Sequence, residues 1–213
     1  MQVLPVINCL DFECVKSTLG KFRLFLDKGD WITMDIADGR FTFHKTWNDP
    51  RAWAGLKPQY KLEAHLMVEE PERFVGPWLA AGAKRIIVHI ETLKPGLLED
   101  FSAMIRGAGA ELALSSNPET PPEALRPYLR ATNYFQVLAV NPGLAGQKFL
   151  PIVLEKIKFL RREAPDATIE VDGGINPEVA KAVKAVGADA VAVASYILES
   201  ADQGMAYEEL TRI

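Results

Sequence analysis

The feature that most constrains this chain is a rhythm of short apolar runs. They read QVLPVIN (2–8), WITMDI (31–36), KLEAHLMV (61–68), KRIIVHI (84–90), ELALSS (111–116), YFQVLAV (134–140), TIEVDGG (168–174) and DAVAVAS (189–195). Each has strand length. Longer segments lie between them, such as PERFVGPWLAAG (71–82) and LPIVLEKIKFLRREA (150–164). In the second of these, Ile152, Val153, Ile157 and Leu160 return at helical spacing with the charges between them. Several helical segments end at glycine, in AAGA (80–83), GAGA (107–110) and AVGA (185–188), which is C-cap chemistry. Strict strand–helix alternation predicts a parallel α/β sheet. Eight repeats in 213 residues predict that the sheet closes into a (β/α)8 barrel. A doubly wound open sheet is the competing architecture. It would want a G-x-G-x-x-G turn after the first strand, and NCLDFE (8–13) carries no glycine. No linker or low-complexity stretch interrupts the pattern, so residues 1–213 are expected to form a single domain.

A hydrophobic content of 48% over this length supports a sizeable core. The net charge is −4 and there is no basic run, which argues against nucleic acid as a partner. It leaves room for an anionic ligand, because local N–H dipoles bind phosphate on acidic proteins. No apolar run is long enough to span a membrane, and MQVLPVINCL lacks the basic start of a signal peptide. Cys9 and Cys14 match neither a metal-ligand spacing nor a disulfide framework, so reduced thiols and a cytoplasmic location are expected. Apolar patches on the outer helices could pair subunits in a homo-oligomer, although Trp47, Trp53 and Trp78 could equally be packed within one chain.

Active sites of such barrels lie at the C-terminal ends of the strands. The polar residues near those ends are Asp35, Asp38, His65, His89, Glu91, Asn117, Asn141, Asp172 and Ser195. Strand side chains alternate faces, so Thr33 shares a face with Asp35, His65 with Met67, and Glu170 with Asp172. Asp35, His65 and Asp172 are thus expected to converge at one mouth. Two carboxylates and an imidazole can bind a divalent metal, and two carboxylates can act as acid and base. The glycine-bearing segments AVNPGLAGQKFLP (139–151) and VDGGINPE (171–178), with VAVASYI (191–197), offer backbone N–H groups to an anion. Taken singly, each reads as an ordinary turn or a satisfied strand-end polar group. His89 reads as a packed strand residue and His44 as a surface-loop histidine.

Along almost its full length the chain resembles the ribulose-phosphate 3-epimerases. The motifs are DIADGRF (35–41), HLMVEEP (65–71), VHIE (88–91), NPETP (117–121), VNPGLAGQKF (140–149) and EVDGGIN (170–176). The resemblance implies a TIM barrel of the ribulose-phosphate-binding type, an isomerase of carbohydrate metabolism in the pentose phosphate pathway, and a small phosphosugar substrate. It implies a divalent metal (zinc, iron or manganese) held by Asp35, His65 and Asp172. Asp35 and Asp172 match the two acid/base carboxylates that invert C3 through an enediolate. His65, Met67, Asn141, Gly143, Gly146, Gly173, Gly174, Ala194 and Ser195 match the substrate and phosphate positions.

The pattern breaks at several points. The strand-two metal histidine of the family is Thr33 here. The serine of Pro-Ser-Ile is Val6, the methionine before Asp-Gly is Ala37, and a phosphate-loop glycine is Ala194. Threonine is a poor ligand at neutral pH, and weaker metal binding is expected. Two other readings stand beside an active 3-epimerase. One is a related phosphosugar enzyme with changed substrate or chemistry; its decarboxylase form lacks an Asp-x-Lys in strand two. The other is a phosphosugar-binding homologue without turnover.

Overall fold

The eight apolar runs are the eight strands of a closed parallel barrel in a computed structural model describing residues 1–213. They are β1 (Gln2–Ile7), β2 (Trp31–Ala37), β3 (Lys61–Met67), β4 (Arg85–His89), β5 (Glu111–Ser116), β6 (Tyr134–Leu138), β7 (Thr168–Asp172) and β8 (Ala190–Val193). Each pairs with the next in sequence, and β8 closes onto β1. The connecting helices are α1 (Phe12–Phe22), α2 (Pro50–Gly55), α3 (Val75–Ala80), α4 (Leu97–Gly107), α5 (Val153–Glu163), α6 (Pro177–Ala185) and the single turn α7 (Ser195–Leu198), with α8 (Gln203–Thr211) at the end. Asp11, Asp49, Asn176 and Asp202 cap helix starts by accepting from backbone N–H groups, while Pro50 and Pro177 begin helices where no N–H is needed. The glycines expected to stop helices, Gly82, Gly109 and Gly187, all take positive φ. No helix is long and apolar enough to cross a membrane.

One crossover departs from the alternation. Between β5 and β6 the chain forms only a 3-10 helix, Pro122–Tyr128. Pro127 falls inside it and lacks the N–H that a regular α-helix would use there. The expectation of free thiols fails as well. Cys9 and Cys14 are joined in a disulfide, with Cα atoms 5.7 Å apart, across the turn from β1 into α1. The cap at Asp11 starts α1 so early that Cys14 falls back over Cys9, a closeness that spacing alone did not reveal.

The main core lies between the outer faces of the strands and the helices. Ile7, Ile32, Met34, Ile36, Leu66 and Val88 join Phe22, Trp53, Trp78, Phe101 and Leu160 in one buried cluster. Trp53 and Trp78 are fully buried within the chain, and Trp47 stacks on Phe12 at 5.2 Å. The barrel interior is different. Beside a small cluster of Ile87, Ala113 and Tyr134 it holds a buried polar belt. Arg85 donates to Glu63 Oε2 at 2.7 Å, Thr33 donates to Glu63 Oε1 at 2.7 Å, and Tyr134 and Gln136 donate to Glu170 at 2.7 and 2.9 Å. Such charges survive burial only when paired and hydrogen-bonded. The belt forms the floor beneath the mouth.

Candidate active site at the C-terminal mouth of the barrel

Register places the candidate side chains. Asp35 on β2 pairs directly with His65 on β3, and both sit two residues beyond the belt residues Thr33 and Glu63 on the same faces. Asp172 ends β7, two residues beyond Glu170. The His65 Nδ1 atom lies 3.1 Å from Asp35 Oδ1 and 3.3 Å from Asp172 Oδ2. Burial disfavours a charged His65. The hydrogen bonds to Asp172 and Asp35 outweigh that cost and push its pKa up to about 10. Burial raises Asp172 to about 6 against the hold of His65, and the Asp35 charge acts in the same direction as burial.

The other nitrogen of His65 faces His89. Their Nε2 atoms are 2.9 Å apart, so one donates and the other accepts. The rings stack at 14°. Burial lowers His89 to about 4, and Glu91 Oε2 lies 3.4 Å from its Nδ1. His89 thus packs in the strand as read from the sequence, and its partner is the site histidine itself.

Three donor groups of Asp35, His65 and Asp172 lie within 4.8 Å of one another, all buried. Two carboxylate oxygens and an imidazole nitrogen suit a divalent ion of the zinc, iron or manganese kind, and the His89 contact supplies the partner that fixes a ligating ring. Thr33 stands outside this cluster, its hydroxyl donated to Glu63. His44 is also outside it, on the loop after β2, with its Nε2 buried and unpartnered.

Above the cluster is a cleft lined by Val6, Asp35, Met67, Leu138, Asp172 and Ala192 on the strands and by Asn8 just after β1. Its loops contribute Gly143, Gly146 and Gln147 after β6, Gly173 and Gly174 after β7, and Ala194 and Ser195 after β8. Asn141 is exposed and does not line it; its carbonyl accepts from Gln147 at 2.6 Å. His65 is wholly buried beneath it. Gly174 has φ +68 and sits so close to Phe149 that a Cβ would fall on that residue's backbone. This approach brings the loops after β6 and β7 together. Asn8 is not among the strand-end polar residues that the sequence points to. Its signal was position: it ends the first apolar run two residues after Val6, on the face that lines the barrel.

A parallel barrel with acidic groups and an imidazole at its C-terminal mouth, beside glycine-rich loops, has the architecture of a TIM-barrel enzyme. Comparison narrows this. The model of the ribulose-phosphate 3 epimerase family matches residues 2–198. The ribulose-phosphate 3-epimerase of Synechocystis is 35% identical over 93% of this chain and 87% of its own length. That of Bacillus subtilis is 33% identical over 99% of this chain and 98% of its own. Among solved structures, 3-hexulose-6-phosphate synthase from Salmonella typhimurium shares the fold, with a TM-score of 0.74 at 19% identity over 100% of this chain and 97% of that one. The chain belongs to the ribulose-phosphate 3-epimerase family and is an isomerase by that membership.

Proposed function

We propose that this protein interconverts D-ribulose 5-phosphate and D-xylulose 5-phosphate by inverting C3. The observation that carries the reading is the pair Asp35 and Asp172, both against His65 Nδ1, at 3.1 and 3.3 Å, in a cleft also lined by glycine-rich loops. Inversion needs a base on one face of the carbon and an acid on the other. One carboxylate takes the C3 proton and its electron pair passes toward the C2 carbonyl, giving an enediolate. The other carboxylate returns a proton to the opposite face. Burial that raises Asp172 to about 6 brings its proton toward the neutral range, which supports a part as acid or base. The N–H groups around Gly143, Gly146, Gly173, Gly174 and Ser195 would hold the phosphate, and that binding would fix the distant C3.

Asp35, His65 and Asp172 would hold a divalent ion, which when bound supplies positive charge for the oxygens of the enediolate. His65 also keeps the two carboxylates apart and oriented, and His89 fixes its ring. Met67, Leu138 and Val6 form the apolar wall that excludes water from the reacting carbon.

A second reading, binding of a phosphosugar without turnover, draws support from Thr33, whose hydroxyl is spent on Glu63. Incubation with D-ribulose 5-phosphate and detection of xylulose 5-phosphate by a coupled transketolase assay separates the two. Product formation supports the epimerase, and bound but unchanged ribulose 5-phosphate supports the second reading.

A further inference from the structure

We propose that Asn8 is a positioning residue that sets the orientation of the Asp35 carboxylate and ties it to the loop after β6. Asn8 follows β1 and is half-buried in the cleft wall. Its Nδ2 donates to Asp35 Oδ2 at 2.8 Å and to the Gly143 carbonyl at 3.1 Å. The Gly143 carbonyl can only accept, so the amide turns its NH2 group to it and, with the same nitrogen, to Asp35. Asp35 is thereby fixed through both oxygens, Oδ1 toward His65 and Oδ2 toward Asn8. Rotation about its terminal bond would break one contact or the other.

The neighbouring residues cannot substitute. Val6, one turn of the pleat earlier on the same face, has no donor. The Thr33 hydroxyl is committed to Glu63. A carboxylate at position 8 would repel Asp35, and an apolar side chain would leave Oδ2 without that N–H. The second acceptor gives Asn8 its reach. Gly143 belongs to the anion rim, so one amide connects the group that moves the proton with the loop that would hold the phosphate. A second tether exists there, because Thr42 Oγ1 donates to the Pro142 carbonyl at 2.8 Å. Loss of Asn8 therefore leaves the loop partly anchored while it frees Asp35. Small errors in such a group are costly, since a misplacement of ~1 Å can cost about a hundredfold in rate.

The kinetic part of the test rests on the epimerase reading, so wild-type turnover of D-ribulose 5-phosphate is measured first. In Asn8→Leu, kcat is expected to fall at least tenfold with KM changed less than threefold. In a crystal structure of that variant with inorganic phosphate, the Asp35 carboxylate is expected to rotate away from its present plane. A rise in KM alone, or a kcat within twofold of wild type, would overturn the proposal. Should Asn8→Leu lose its cooperative thermal transition, Asn8→Ala, which demands no new space, is read with the same expectations. If wild type turns nothing over, the epimerase reading fails by itself, and the Asp35 position in the variant crystal decides the role of Asn8: an unmoved carboxylate rejects it.

Discussion

At the scale of single residues, the site is decided by what each polar group is already bonded to. Thr33 occupies the position for which the family resemblance implies a metal histidine, and its hydroxyl is turned to Glu63, which burial and the neighbouring Glu170 push up to about 8 against the pull of Arg85. The cluster is thereby left with three donors. The change Thr33→His is expected to tighten zinc binding by roughly tenfold or more, the scale at which support for a ligand acts. Competition with a chromogenic chelator measures it. Unchanged affinity would mean that position 33 does not reach the cluster. The sequence made Asp35, His65 and Asp172 legible because strand alternation and register are simple rules. Asn8 and the His65–His89 contact were not legible, because they depend on which side chains of non-adjacent segments meet across the mouth. The Cys9–Cys14 bridge was missed for a related reason: it follows from where Asp11 starts α1, not from cysteine spacing.

At the scale of elements, eight short apolar runs separated by helical segments left one economical closure, and all eight strands fall where the runs lie. Boundaries moved by a residue or two. The crossover after β5 lost its α-helix to proline, an outcome set by local chemistry within an unchanged topology. The loops after β6, β7 and β8 form the rim because each leaves the same end of the barrel, and their approach requires Gly174 at φ +68 against the Phe149 backbone. The change Gly174→Ala adds a Cβ where no flexible atom can yield. It is expected to destabilise by at least about 2 kcal/mol and to weaken phosphate binding. Urea unfolding and titration with inorganic phosphate read the two effects separately. A variant as stable as wild type with undiminished phosphate binding would remove the rim from the account.

For the molecule as a whole, the buried charges connect the outer helices to the mouth. Lys156 on α5 is almost fully buried and donates to the Asn117 carbonyl, near Glu91. Burial lowers its pKa from 10.5 to about 8, with Glu91 opposing. Between these values the folded chain binds fewer protons than the unfolded one, so the contribution of Lys156 to stability rises as pH climbs from 8 to 10.5. Below pH 8 the charged ammonium carries its burial cost in full. Relative to Lys156→Met, wild type is therefore expected to gain on the order of 2 kcal/mol between pH 7 and pH 10. Paired urea titrations at the two pH values measure the difference, and a constant gap would show that Lys156 titrates normally. The central claim is that Asp35 and Asp172 act on opposite faces of one carbon. Its most direct test is NMR of D-ribulose 5-phosphate incubated in deuterated water with the wild-type protein and with Asp172→Asn, each with zinc, iron(II) or manganese. The account predicts deuterium at C3 and xylulose 5-phosphate with wild type. It predicts conversion lowered by about a hundredfold or more in the variant, as expected for loss of a general acid or base. Wild type that binds the sugar phosphate and leaves its C3 proton in place with every metal would contradict it.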